Sequence, residues 1–191
     1  MRTYFILIFC AFGSLVYPQD HCIVRADISY TSSEKEYKIE LDRRQNVSSL
    51  ILYKLSSERK SYNIRDKNRI DELRKKNWKT AEEHRELEEI RNRYKIFDKD
   101  SILISNNSKT FKYSDSLLFH SETILEEKLN QPVYSDAMFV EIYENGLQKY
   151  KVYNPQTDIY SIVYYFIQSA LQEYWQKVSK PILTKDYTSI N

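Results

Sequence analysis

A chain of 191 residues with 41% hydrophobic and 14% aromatic side chains is long enough for one domain with its own core, which excludes global disorder. Its 29% charged residues nearly cancel, at net +2, which excludes a long-range field able to gather nucleic acid or an anionic membrane from solution. The two glycines, Gly13 and Gly146, exclude a P-loop, a dinucleotide fingerprint and a hydrolase nucleophile elbow, each of which needs several close together.

Arg2 precedes an uncharged apolar run from Tyr4 to Val16, and polar residues begin after Pro18. That order predicts a secretory signal peptide over residues 1–19, since a spanning helix needs about 20 apolar residues. The expected product is a secreted or periplasmic protein with no stable membrane insertion after signal removal. Cys10 falls in the leader, and Cys22 is then the one thiol left, so no internal disulfide is expected. Cys22 reads as a half-buried strand residue.

Residues 20–180 are expected to form a single domain. Val24, Ala26, Ile28 and Tyr30 alternate with Arg25, Asp27 and Ser29, and Tyr37, Ile39 and Leu41 alternate with Lys38 and Glu40. Period two predicts two strands of a hairpin, each with one inward face. Asn46–Leu55 fits a helix capped by Asn46 or a buried strand, because Leu50-Ile51-Leu52-Tyr53 is too short a run for periodicity to decide.

Residues 64–97 read as a charged helical insertion. Asp66 is the expected cap of a helix carrying Ile70 and Leu73. Thr80 and Glu83 have capping-box spacing ahead of Leu87, Ile90 and Tyr94. Asp71–Lys75, Glu72–Lys76 and Glu89–Arg93 stand at i,i+4 in the favourable order. Trp78, at the junction, is expected to pin the pair to the body.

Asp98-Lys99-Asp100 lacks the later ligands and the glycine of a calcium loop and reads as a helix-to-strand turn. Ile102–Ile104 is a short strand, Phe111–Phe119 is undecided, and Ile124, Leu125 and Leu129 suggest a short helix. Asn46-Val47-Ser48 and Asn106-Asn107-Ser108 have the form of N-glycosylation acceptors.

Asn145-Gly146 between two apolar-alternating runs predicts a hairpin over 138–155. A two-residue loop would set Val140 and Ile142 beside Lys151 and Lys149. A three-residue loop pairing Tyr143 with Leu147 segregates apolar from polar, with Glu141 facing Lys149, and is the expected register. Asn154-Pro155 opens a C-terminal helix whose stripe holds Ile159, Val163, Phe166, Ile167, Ala170, Tyr174 and Val178. Pro181 ends it, and 181–191 is expected as a flexible tail. The fold class is therefore α+β: an antiparallel sheet packed on a long C-terminal helix, with a charged helical insertion.

No cofactor or metal is expected: His21, His84 and His120 are widely separated and lack ligand spacing. Glu141, Glu144 and Asp158 are candidates for a glycosidase carboxylate pair, but carboxylates opposite lysines are the plainer account. Most of the 17 tyrosines fall on strands or on the helix stripe, as packing residues. Tyr143, Tyr153, Tyr165 and Trp175 are the aromatics placed to face outward as a binding surface. These features lean away from an enzyme and toward a non-catalytic protein-binding or envelope-associated module, with a protein partner and no nucleic acid. The rivals are a hydrolase whose site is assembled only in the fold, and an inhibitor or immunity-type protein with one tight partner.

Overall fold

A computed structural model describes residues 21–30, 35–119, 138–153 and 161–188. The expected signal peptide, the expected short helix at Ile124–Leu129 and the expected helix start at Asn154-Pro155 lie outside them.

Among the described residues, six strands form one antiparallel sheet: β1 (His21–Tyr30), β2 (Glu36–Arg44), β3 (Val47–Arg59), β4 (Lys95–Ser105), β5 (Met138–Glu144) and β6 (Leu147–Tyr153), in the order β4-β3-β2-β1-β5-β6. The helices are α1 (Ile64–Lys75), α2 (Ala81–Arg93), α3 (Lys109–Phe119), α4 (Ser161–Lys177) and the single turn α5 (Lys185–Thr188). The class is α+β.

Alternation sorts the sheet into two faces. Val24, Ala26 and Ile28 of β1, Tyr37, Ile39 and Leu41 of β2, Leu50 and Leu52 of β3, and Val140 and Ile142 of β5 are buried on the inner face. Val163, Phe166, Ile167, Ala170, Leu171 and Tyr174 of α4 join them in one core. Each large apolar side chain among them contributes roughly 1.5–3 kcal/mol, so this layer is the main store of stability. Helix α3, undecided in the sequence, packs beside α4. Thr110 Oγ1 donates to Glu173 Oε1 at 2.8 Å, and Arg43 at the end of β2 pairs with Asp115 and lies 4.3 Å over the Phe111 ring. Cys22 is buried on the inner face, where burial pushes its thiol up.

Several expectations are corrected. Of the two readings left open for Asn46–Leu55, the structure has the strand, from Val47 on: Val47↔Ser105 through Leu55↔Phe97 pair with β4. Asp98-Lys99-Asp100 is not a turn but the middle of β4, an edge strand on which charges are tolerated. The cap of α1 is Asn63, whose Oδ1 accepts the Asp66 N–H at 2.7 Å, rather than Asp66 itself. The Thr80–Glu83 capping box of α2 is complete. In place of Glu72–Lys76, Glu72 pairs with Arg69 and Lys76 crosses to Glu83, while Arg69 grips Glu86 through two nitrogens at 2.8 and 2.6 Å. Trp78 pins nothing, being 91% exposed in the turn between α1 and α2.

The hairpin closes with the two-residue loop: Glu144 pairs with Leu147, and Asn145 and Gly146 have φ of 49° and 84°. The register shifts between Ile142 and Tyr143, so that Tyr143 faces Gln148 but Ile142 faces Tyr150. The extra residue on β6 restores the segregation of faces that a regular two-residue hairpin would lose. Glu141 consequently faces Lys151, not Lys149.

Within the expected tail, the described residues 182–188 are docked rather than loose. Leu183 is fully buried in the core, the Ile182 N–H donates to Tyr174 Oη at 2.8 Å, and Tyr30 Oη donates to the Thr188 carbonyl at 2.8 Å. Asn106 is likewise structural: its amide donates to the Arg44 and Gln45 carbonyls at 2.7 and 2.9 Å, and its Oδ1 accepts from Ser48 at 2.8 Å. Glycosylation at Nδ2 would replace one of its two donor hydrogens and so cost one of these bonds.

Candidate functional site

The outer face of the sheet is laced with charge and aromatic rings, and helix α2 leans over one part of it. A cleft of about 430 Å³ results. Its floor is a cross-strand row: Lys38 of β2 stands opposite Asp27 of β1, Asp27 opposite Glu141 of β5, and Glu141 opposite Lys151 of β6. Phe97, Phe139 and Tyr143 supply the apolar surface, while Glu88 and Asn92 of α2 form the far wall with Lys95.

The charges answer one another. Lys38 Nζ lies 3.1 Å from Asp27 Oδ2, and Arg25 Nε lies 2.8 Å from Asp27 Oδ1. Lys151 Nζ lies 3.0 Å from Glu141 Oε1, and Tyr143 Oη donates to Glu141 Oε2 at 2.7 Å. Lys95 pairs with Glu36. The cations also sit on rings: Arg25 is 4.4 Å from the Tyr143 centroid and Lys38 is 4.7 Å from that of Phe97. Partial burial would raise the Glu141 carboxyl, but the bonds from Tyr143 and Lys151 outweigh it and hold the group below its ordinary value. Tyr143 moves the other way, raised by burial and by the anionic Glu141 beside it.

Of the aromatics singled out from sequence, Tyr143, Tyr165 and Trp175 have described side chains, and among these only Tyr143 is in this cleft. Tyr165 is exposed on α4, stacked on Tyr113 at 5.6 Å. Trp175 is turned to internal use: its Nε1–H donates to the Leu183 carbonyl at 2.6 Å, with Lys185 over its ring at 5.7 Å. The Tyr153 side chain lies outside the described residues. The three with described side chains do not form one patch. Phe97 and Phe139 were missed. Phe139 had a signal, since it occupies the outward position between Met138 and Val140, but the β1–β5 register that sets it beside Ser29 is long-range.

Compared with family models, curated proteins and solved structures, this chain matches none.

The site must therefore be read from its own chemistry. Glu144 joins Lys149 at 2.6 Å, so both described carboxylates of the suggested glycosidase set are engaged with lysines, and Asp158 lies outside the described residues. Among the described residues, no group of three or more His, Cys, Asp or Glu side chains could hold a metal ion, and no helix is long and apolar enough to cross a membrane.

Proposed function

We propose that this chain is an exported, non-catalytic binding module that accepts a segment of a protein partner in the cleft between α2 and the outer face of the sheet. The observation that carries the reading is the set of rings, Phe97, Phe139 and Tyr143, around a lattice of matched charges. Rings supply contact area at low entropy cost, and paired charges of both signs orient a polar chain. A hydrolase working through Asp27 and Glu141 would need one carboxyl protonated at working pH. Glu141 is instead held ionised by Tyr143 and Lys151. Export rests on the charge and apolar order of residues 1–19.

A photo-crosslinking residue at Phe97, with one at Tyr165 as control, tests the binding reading in the native host. A discrete protein adduct from position 97 and none from 165 supports it. One dominant adduct at low abundance would favour the inhibitor or immunity-type version over a general module. No adduct at 97 sinks the cleft. Mass measurement of the cellular protein tests export, which fails if the intact Met1 end is found.

A further inference from the structure

We infer that the tip of the α1–α2 hairpin is a contact site for an anionic lipid surface. The tip reads Arg74-Lys75-Lys76-Asn77-Trp78-Lys79, four cations in six residues with no acid among them. Trp78 is 91% exposed at its centre. The hairpin is held at its base, where the Lys60 N–H donates to the Tyr94 carbonyl at 3.1 Å. Helix α1 has 12 residues, which sets the tip about 18 Å along its axis from that base.

Part of the cluster has a structural use. Arg74 and Lys75 complement the negative end of α1, and Lys76 pairs with Glu83. That account leaves out Trp78, and it leaves the charge of Arg74 and Lys75 unanswered, since among the described residues neither forms an ion pair. The shape also decides between occupants. A ring that anchors in a protein pocket is usually surrounded by other apolar contacts. Between positions 74 and 82 the only other apolar side chain is Ala81. An exposed indole in the turn between Lys76 and Lys79, with Arg74 and Lys75 at the adjoining end of α1, matches a planar layer of anionic headgroups, where the ring sits at the interface and the cations meet the charge. The near-zero net charge of the whole chain averages this cluster away, so composition alone conceals it. The inference does not rest on the cleft.

The test is titration of the protein, purified as it accumulates in its host, with phosphatidylcholine vesicles containing phosphatidylglycerol and with phosphatidylcholine alone. The Trp78 part of the emission is identified by subtracting Trp78→Phe. A blue shift of that component with anionic vesicles only, reversed by salt, is the expected result. Each basic residue at an anionic surface is worth about a factor of five, so Arg74→Gln/Lys75→Gln/Lys79→Gln should weaken partitioning roughly a hundredfold. An equal shift with neutral vesicles, or partitioning unchanged in the triple variant, overturns the inference. So does a Trp78 response to single-stranded RNA or polyglutamate with none to vesicles.

Discussion

Tyr174 on α4 donates its hydroxyl to Asp100 Oδ2 on the edge strand β4 at 2.6 Å, while the same oxygen accepts the Ile182 N–H at 2.8 Å. One fully buried phenol therefore ties helix, sheet edge and C-terminal segment together. Tyr174→Phe leaves a carboxylate and a backbone N–H without that partner. A hydrogen bond to a charged group is worth about 1.5–3 kcal/mol, so a loss of about 2 kcal/mol in urea unfolding is expected. A change within a few tenths would show that water replaces the phenol freely.

The buried phenols also set the alkaline limit. Burial, and then the bond to Asp100, pushes Tyr174 up to about 12. Tyr37 is raised well above its ordinary value by burial and by its neighbours Tyr30 and Tyr187. In the unfolded chain both titrate near pH 10. Between those limits the unfolded state has lost protons that the native state keeps, so stability must fall as pH rises. It is intact below about pH 10 and declines by about 1.4 kcal/mol per pH unit for each such tyrosine up to its folded value. Exposed tyrosines should ionise first with the fold intact, and the tyrosinate absorbance of the buried ones should then rise together with loss of circular dichroism in one cooperative step. Completion of the whole tyrosinate rise with an unchanged far-ultraviolet spectrum would contradict this.

Leu183 decides whether the end of the chain belongs to the fold. Its side chain is fully buried in the main core, and Tyr187 exchanges hydrogen bonds with the Glu36 backbone, its Oη accepting at 3.2 Å and donating at 3.1 Å. Leu183→Ala should cost roughly 2–5 kcal/mol, as core truncations do. A loose tail would cost nothing measurable.

Asn145 carries two roles that substitution can separate. Its φ of 49° suits the turn, and its side chain acts as a strand partner, with Oδ1 accepting from the Ile23 N–H at 2.9 Å. Its own N–H donates to the Ile23 carbonyl at 2.9 Å, so the turn extends the β1–β5 ladder. Asn145→Gly keeps the turn conformation and loses the side-chain bond, for a cost of about 1 kcal/mol. Asn145→Ala adds left-handed strain of roughly another 1 kcal/mol. Equal effects of the two on thermal unfolding would assign the residue to the side-chain bond alone, and a cost confined to Asn145→Ala would assign it to the turn alone.

Strands β1 and β2 were legible because their outward positions are plainly polar. Strand β3 was not, because Ile51 and Tyr53 point outward between the inward Leu50 and Leu52. Tyr53 is tolerated there by donating to Glu40 at 3.3 Å with Lys99 over its ring at 5.7 Å, contacts made by other strands. Strand β4 hid its identity in the same way: Asp100 faces inward only because Tyr174 waits for it. The hairpin register failed on a different ground. Face segregation was the right criterion, but a bulge satisfies it with the two-residue turn that Asn-Gly prefers. The cleft was half visible, as outward residues Asp27, Lys38 and Glu141. Their meeting depends on β5 adding beside β1, a pairing of distant segments that no local pattern encodes.

The α1–α2 hairpin has its own small core, Ile70, Leu73, Leu87 and Ile90 with Tyr94 packed against it, separate from the main one. Asp66 is buried between these helices, where Tyr94 Oη donates to its Oδ2 at 2.8 Å and accepts the Asn63 N–H at 3.2 Å. Removing that hydroxyl with Tyr94→Phe leaves the Asp66 carboxylate short of a donor at the base of the hairpin. The separate cores confine the consequence: the hairpin should open locally while the sheet stays folded. In native-state hydrogen exchange, amides of α1 and α2 should lose about 1.5–3 kcal/mol of protection, and those of β1 and β2 should keep theirs. Uniform loss across sheet and hairpin would mean that the two cores unfold as one unit, and that the hairpin is not the semi-independent arm its packing describes.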